Sequence, residues 1–336
     1  MADVEAEPSL PEGTAATPRA GLASRLSGAL GPVASRIAES IAVVLALGTA
    51  VFFALRLLPG DPAALVLGEL SGPSERAALR AKLHLDEPLY VQYARFLKGL
   101  VSLDLGESLR RPGVSVRARI VEAFWPTAEL ALVAVALGAL LGVSLAVLSA
   151  GPWLGRRRRL VSLSLTAVAA VPLLAFAPLV TFVLAARLRV VPLPGDPESG
   201  LSGLLFASGL LALPLAAHVG RISRAALLEH ERAQFLTVAR AKGGAPFRVW
   251  VLHALPASIG PIATVLGTQL GALLGGAVVL ERLFERPGLG SLLLEAYTSR
   301  DLPVLEATVV ATATLFVLAQ AAAQAIQALL DPRVTR

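Results

Sequence analysis

Residues 237–256 read Thr237-Val-Ala-Arg-Ala-Lys-Gly-Gly-Ala-Pro-Phe-Arg-Val-Trp-Val-Leu-His-Ala-Leu-Pro256, inside a basic stretch, 221–253, that separates two long apolar runs. Good helix formers lead up to Gly243-Gly244, and glycine ends helices readily because it accepts positive φ. Arg240 and Lys242 fall in the last turn of that helix, where the helix dipole favours cations. Ala239 and Ala241 keep its surface shallow, so another protein's backbone can come close. Pro246 suits the first turn of a new helix, and Leu255-Pro256 reaches the next apolar run. The spacing predicts a helix, a glycine stop and a second helix re-entering a membrane. Such a rigid knuckle is what a membrane protein needs if a soluble partner is to grip it.

The flanking runs set the fold class. Of 336 residues, 55% are hydrophobic and 16% are charged, with mean hydropathy +0.69. Soluble domains average about 25% charged residues, and a helix needs about 20 apolar residues to cross the hydrocarbon. Runs at 130–155, 160–186, 254–280 and 307–330 exceed that length, and 201–220 meets it. A further run at 37–58 reaches it if Arg56 snorkels at the membrane surface. The expectation is an all-α membrane protein with six transmembrane helices, at about 37–58, 130–150, 160–186, 201–220, 254–280 and 307–330. Residues 1–35, rich in Ala, Gly, Pro, Ser and Glu, read as a disordered cytoplasmic tail without a signal peptide. Residues 36–336 form the transmembrane domain.

Arginine distribution orients the chain. Arg156–Arg159 and the cations of 221–253 lie in alternate short loops, while the opposite short loops carry fewer cations and more carboxylates; the long first loop, 59–127, is also basic but is too long for the positive-inside rule to weigh heavily. The positive-inside rule then makes both termini cytoplasmic. The same distribution accounts for a net charge of +6 and a pI near 10.4, so nucleic acid is not expected as a partner.

The long outer loop after the first span predicts two short amphipathic helices, one capped by Ser74 and one by Asp86. Spans two and five carry small residues every four positions: Ala134, Gly138, Gly142 and Ala146 in the former, Ala263, Gly267, Gly271 and Gly275 in the latter. Such stripes let helices pack closely in lipid, within one subunit or against a second one. Gly267, Gly271 and Gly275 are the candidates for helix or subunit packing. Gln269, among threonines in span five, is the candidate for the solute pathway. No charged residue is expected deep in a span, which argues against ion-coupled transport.

Catalysis finds no support. The chain has no Gly-x4-Gly-Lys-Ser/Thr loop, no Gly-x-Ser-x-Gly elbow, no His-Glu-x-x-His pair and no cysteine. Its four histidines lack ligand spacing, so no metal is expected. A secondary ion-coupled carrier and a non-transporting membrane scaffold remain as alternatives to an ATP-driven system.

From Gly243 to Leu255-Pro256 the spacing resembles the coupling-loop signature of ABC importer permeases. Thr237-x-Ala-Arg-Ala-Lys-Gly243 is similar to the variant of the dipeptide/oligopeptide/nickel branch. Further segments resemble the same branch in the same order: Leu57-Leu-Pro-Gly-Asp-Pro62, 85–93, Asp104-Leu-Gly106, Phe284-Glu-Arg-Pro-Gly-Leu-Gly290, Arg300-Asp-Leu-Pro-Val304 and Asp331-Pro-Arg333. The long outer loop resembles that of the first permease of the pair. Departures are Thr237 and Val238 at the start of the signature, His253, and Gln234-Phe235 where an acidic residue often precedes an aromatic. The resemblance implies a type I ABC importer permease in the inner membrane of a prokaryote. It further implies a second permease, two ABC ATPase subunits or domains that carry ATP and Mg, and an external substrate-binding protein. Gln234, Phe235, Thr237, Ala239, Arg240, Ala241, Lys242 and Gly243 would then contact the ATPase. The solute is left open among peptides, nickel complexes, opines and oligosaccharides.

Overall fold

The computed structural model describes residues 22–57, 62–68 and 71–330. Among these there are helices, turns and one isolated bridge, Glu107 to Ser115, and no strand. The N-terminal 43 residues and residues 44–336 are separate units. Residues 22–43 of the first and 44–57 of the second are assigned to helix α1 (Leu22–Leu57). The helix therefore begins inside the stretch expected to be a disordered tail; residues 1–21 lie outside the description, as do 58–61 and 331–333 of the quoted motifs.

Four helical stretches are long and apolar enough to cross a membrane: Ala38–Leu57, Val116–Ala150, Pro197–Glu229 and Leu302–Ala325. Two more are bent pairs, which bring the spans to six if each pair counts as one. The first pair is α6 (Arg157–Ala170) and α7 (Leu173–Thr181, prolonged by a π-turn to Arg187), bent by 104°. Pro172 lacks an N–H and holds Val171 extended (φ −86, ψ 123), so the run expected as one span turns a corner there. The second pair bends by 64° at Ser258, between α11 (Leu255–Ala257) and α12 (Ile259–Leu283). Ser258 is fully buried and donates its hydroxyl to Ala254 O at 3.0 Å.

The core is built on α5 (Val116–Ala150) against α8 (Gly200–Glu229). Ala134, Gly138, Gly142 and Ala146 are all buried on that face of α5. A Cβ on Gly142 would stand 2.8 Å from Ala216 O, so the small stripe of span two serves packing within this chain. Leu130, Ala177, Leu204, Leu211, Val265 and Leu280 close the centre.

On α12, Gly267 faces Ala323 and Gly271 faces Phe316 of α14 (Leu302–Leu330), whereas Gly275 meets nothing within 4 Å. Two of the three packing candidates therefore seat a helix of this same chain, and one is open.

The short helices α2 (Pro62–Leu67), α3 (Pro73–Lys82) and α4 (Leu89–Ser102) follow α1. Their caps differ from expectation: Gly72 and Pro88, not Ser74 and Asp86, hold the N-cap positions. Pro73 at the first helical position moves α3's start forward, and Gly72 N donates to Glu75 Oε2 at 3.3 Å. Tyr93 and Phe96 of α4 pack edge-on and tilted against Phe52, with centroids 5.3 and 5.2 Å away.

Candidate functional site

Beyond the apolar part of α8 the helix carries on through Arg221 and Arg224 to Glu229. It then breaks at 230–233, where Ala233 turns extended (φ −65, ψ 140) before α9 (Gln234–Ala241). The sequence predicts a continuous helix up to Gly243; the break makes α9 a separate two-turn element. α9 ends in a Schellman arrangement. Gly243 has φ +80, its N–H reaches Arg240 O at 3.0 Å, and the Gly244 N–H reaches Ala239 O at 3.2 Å. After it come α10 (Pro246–Val249), a π-turn over Trp250–Ala254, and α11.

One face of this knuckle is keyed into the bundle. Leu236, Val249, Trp250 and Ala254 are buried with Ala146, Val147 and Ala150 of α5 and Leu227 of α8. Trp153 sits edge-on to Phe247 and Trp250, at 5.5 and 6.2 Å between centroids. Of the coupling candidates, Ala239 is half-buried against this cluster. Gln234, Phe235, Thr237, Arg240, Ala241, Lys242 and Gly243 are exposed together.

Sequence reasoning missed two neighbours of that face. Val238 is 53% exposed and Phe247 is 56% exposed, beside Phe235 at 43%. Exposed apolar groups are ordinary where lipid covers them. These stand beyond the arginine-bearing end of α8, among exposed Arg232, Arg240, Lys242 and Arg248. An apolar patch rimmed by cations is the chemistry of a protein contact. The signal for it lay in the sequence as apolar residues within a polar loop, but only the fold shows that they point outward.

At the other end of the spans, charge is buried after all. α14 starts at Leu302, so Glu306 lies within it and pairs with Arg56 at 2.6 Å. Arg56 also donates Nε to Gln92 Oε1 at 3.0 Å and lies 3.4 Å over the Phe52 ring. It is held by these partners instead of snorkelling. Glu281 at the end of α12 and Asp301 before α14 are fully buried as well. Asp301 accepts from the Ser108 hydroxyl and from Leu109 N (3.1 Å). The run between charged residues hid these groups, because helices begin and end outside the charge-free window. At the start of α4, the Arg95 guanidinium bonded to Glu87 at 2.8 Å holds that carboxyl below its usual range, against some loss of hydration. A cleft of about 550 Å³ opens there, lined by Arg56, Gln92, Lys98, Asp104, Glu107 and Glu306 among others. Gln269 is half-buried on α12.

Residues 138–336 match the family model described as binding-protein-dependent transport system inner membrane component, and residues 31–111 match that of its N-terminal part. The chain belongs to this family. It is 33% identical to a putative peptide transport system permease protein of Brucella abortus (strain 2308), covering 90% of this chain and 98% of the relative. It is 30% identical to the dipeptide transport system permease protein DppB of Bacillus subtilis (strain 168), covering 87% and 94%. The oligopeptide transport system permease protein OppB of Haemophilus influenzae is 31% identical over 89% of this chain and 97% of its own length. The resemblance read from the motifs agrees with these permeases. The family is a transport component of the inner membrane that works with a binding protein, not a catalytic subunit.

Proposed function

We propose that this chain is the gate-forming permease of an ATP-driven ABC importer for peptides, moved from the cytosol through residues 234–243. The observation that carries the reading is the knuckle. It is seated by Leu236, Val249 and Trp250, closed by Gly243-Gly244, and turns Phe235, Val238 and Arg240 outward. A flexible loop would absorb a push; a short helix keyed into two spans passes it on. ATPase subunits closing on ATP would displace α9 as a rigid body, and α8 and α12 would follow, opening the pathway outward. Hydrolysis resets it. Solute reaches the outer side on a binding protein. The peptide class is supported by the names of relatives matched over nearly their whole length. The second permease, the two ATPases with their ATP and Mg, and the cytoplasmic placement of both termini belong to the same proposal.

Ala241→Glu tests it. The position is exposed and the substitution leaves the buried side of α9 untouched. Assembly in the membrane should persist while ATP-driven uptake of labelled peptides and recovery of the ATPases with the permease both fall. Normal uptake with normal assembly would refute the role of this surface.

A further inference from the structure

The outer helix α13 (Leu289–Ser299) starts at Gly288, which has no side chain with which to cap it. Its first N–H groups are nevertheless satisfied, by residues of two other helices. Leu289 N donates to Thr127 Oγ1 of α5 at 2.8 Å. Ser291 N donates to Glu281 Oε2 of α12 at 3.0 Å. The Thr127 hydroxyl in turn donates to Glu281 Oε1 at 2.5 Å. A carboxylate at a helix N-terminus is favoured by the dipole as well as by the hydrogen bonds. The site is closed around this group: Glu281 is fully buried and Thr127 nearly so. A Cβ on Gly288 would lie 2.2 Å from Glu281 Cδ, and one on Gly290 would lie 2.6 Å from Val278 Cα. A second tie runs beside it, from Arg286 to Glu129 of α5 at 2.9 Å. The turn joining α12 to α13 also closes on itself, with Arg286 N on Glu281 O at 2.8 Å.

We infer that Glu281 is a positioning residue that locks the outer end of α12, the start of α13 and α5 into one rigid corner, so that displacement of the cytoplasmic knuckle is delivered to the outer face. The inference rests on the coupling role proposed for residues 234–243. α12 is the lever: one end continues through Ser258 and α11 into the knuckle, and the other carries Glu281. Without the carboxylate, the Ser291 N–H at the head of α13 and the Thr127 hydroxyl of α5 lose their tie to α12, and α13 no longer has to follow it.

The chain has no cysteine, so single thiols report each end without background from it. Ala245→Cys reads the knuckle and Tyr297→Cys reads the open side of α13, in the complete transporter with cysteine-free partners in nanodiscs. In the parent, trapping with ATP and vanadate should change the maleimide labelling rate at both positions. With Glu281→Gln the change at Ala245→Cys should persist while that at Tyr297→Cys falls by at least half. The ATP hydrolysed per peptide imported should rise about tenfold, the scale of one charge-assisted hydrogen bond lost. A merely structural role would lower both labelling responses together. An unchanged response at Tyr297→Cys overturns the inference. Absence of any response at Ala245→Cys in the parent would instead count against the coupling role itself. If Glu281→Gln does not assemble, Thr127→Val is read the same way, since it removes one hydroxyl and keeps the carboxylate.

Discussion

Gly243 and Gly244 stand side by side for different reasons. Gly243 has φ +80 with open space around it, so alanine there meets only the cost of a left-handed backbone, about 1–2 kcal/mol. Gly244 is not in that region, but a Cβ on it would sit 2.7 Å from Val249 Cγ2 and 2.9 Å from Ala239 O. One of those neighbours is backbone, so the helix itself has to shift. Gly244→Ala is therefore expected to reduce ATP-driven uptake more than Gly243→Ala; uptake assays on both variants at equal membrane levels would contradict this if the order reversed. The glycine stop was legible in the sequence because terminator chemistry is local. The demand at Gly244 was not, because it arises when α10 folds back onto α9. The same holds for Arg56, whose partner Glu306 is 250 positions away. Arg56→Ala leaves a half-buried carboxylate alone and should destabilise the permease by about 2 kcal/mol, visible as a lower unfolding temperature in detergent. Arg56→Met combined with Glu306→Met should recover most of that loss; no recovery would mean the pair is not what Arg56 contributes.

At the scale of elements, hydropathy located every apolar run, and the helices found there extend beyond it. α5 begins at Val116 and α8 reaches Glu229, because a helix does not stop where hydrocarbon ends. The 104° corner at Pro172 was only half legible. Prolines signal a bend, but its size depends on what α7 packs against, which is α8 and α12 of the central cluster. α9 shows the same division. Its glycine end was readable and its start was not, since the break at 230–233 contains neither glycine nor proline, and Leu236 just beyond it is buried in the cluster that holds Trp250. The patch on α9 and α10 yields its own prediction. Phe235→Glu with Val238→Glu puts anions on an apolar, cation-rimmed surface without touching Leu236. The ATPases should no longer copurify, while the permease keeps its unfolding temperature within about 2 °C, as expected of surface substitutions. Retained copurification would show that the partner grips elsewhere.

For the whole molecule, the membership in a binding-protein-dependent transport family and the keyed knuckle support the proposed gate worked by partner ATPases. The fully buried Glu281 and Asp301, and Glu306 in its ion pair, were not expected from the sequence, and such groups are the usual parts of ion-coupled carriers. Here Glu306 is bound to Arg56 and Glu281 to Thr127 and the head of α13, and both stand near helix ends rather than midway through a span. Their partners give them structural work, so the ATP-driven reading stands. The most direct test is uptake of a mixed pool of labelled short peptides by proteoliposomes holding the full assembly with its binding protein. The account predicts accumulation only when ATP is present and ATPases are bound. Accumulation by this permease without ATPases, driven by an imposed proton or sodium gradient, would contradict it.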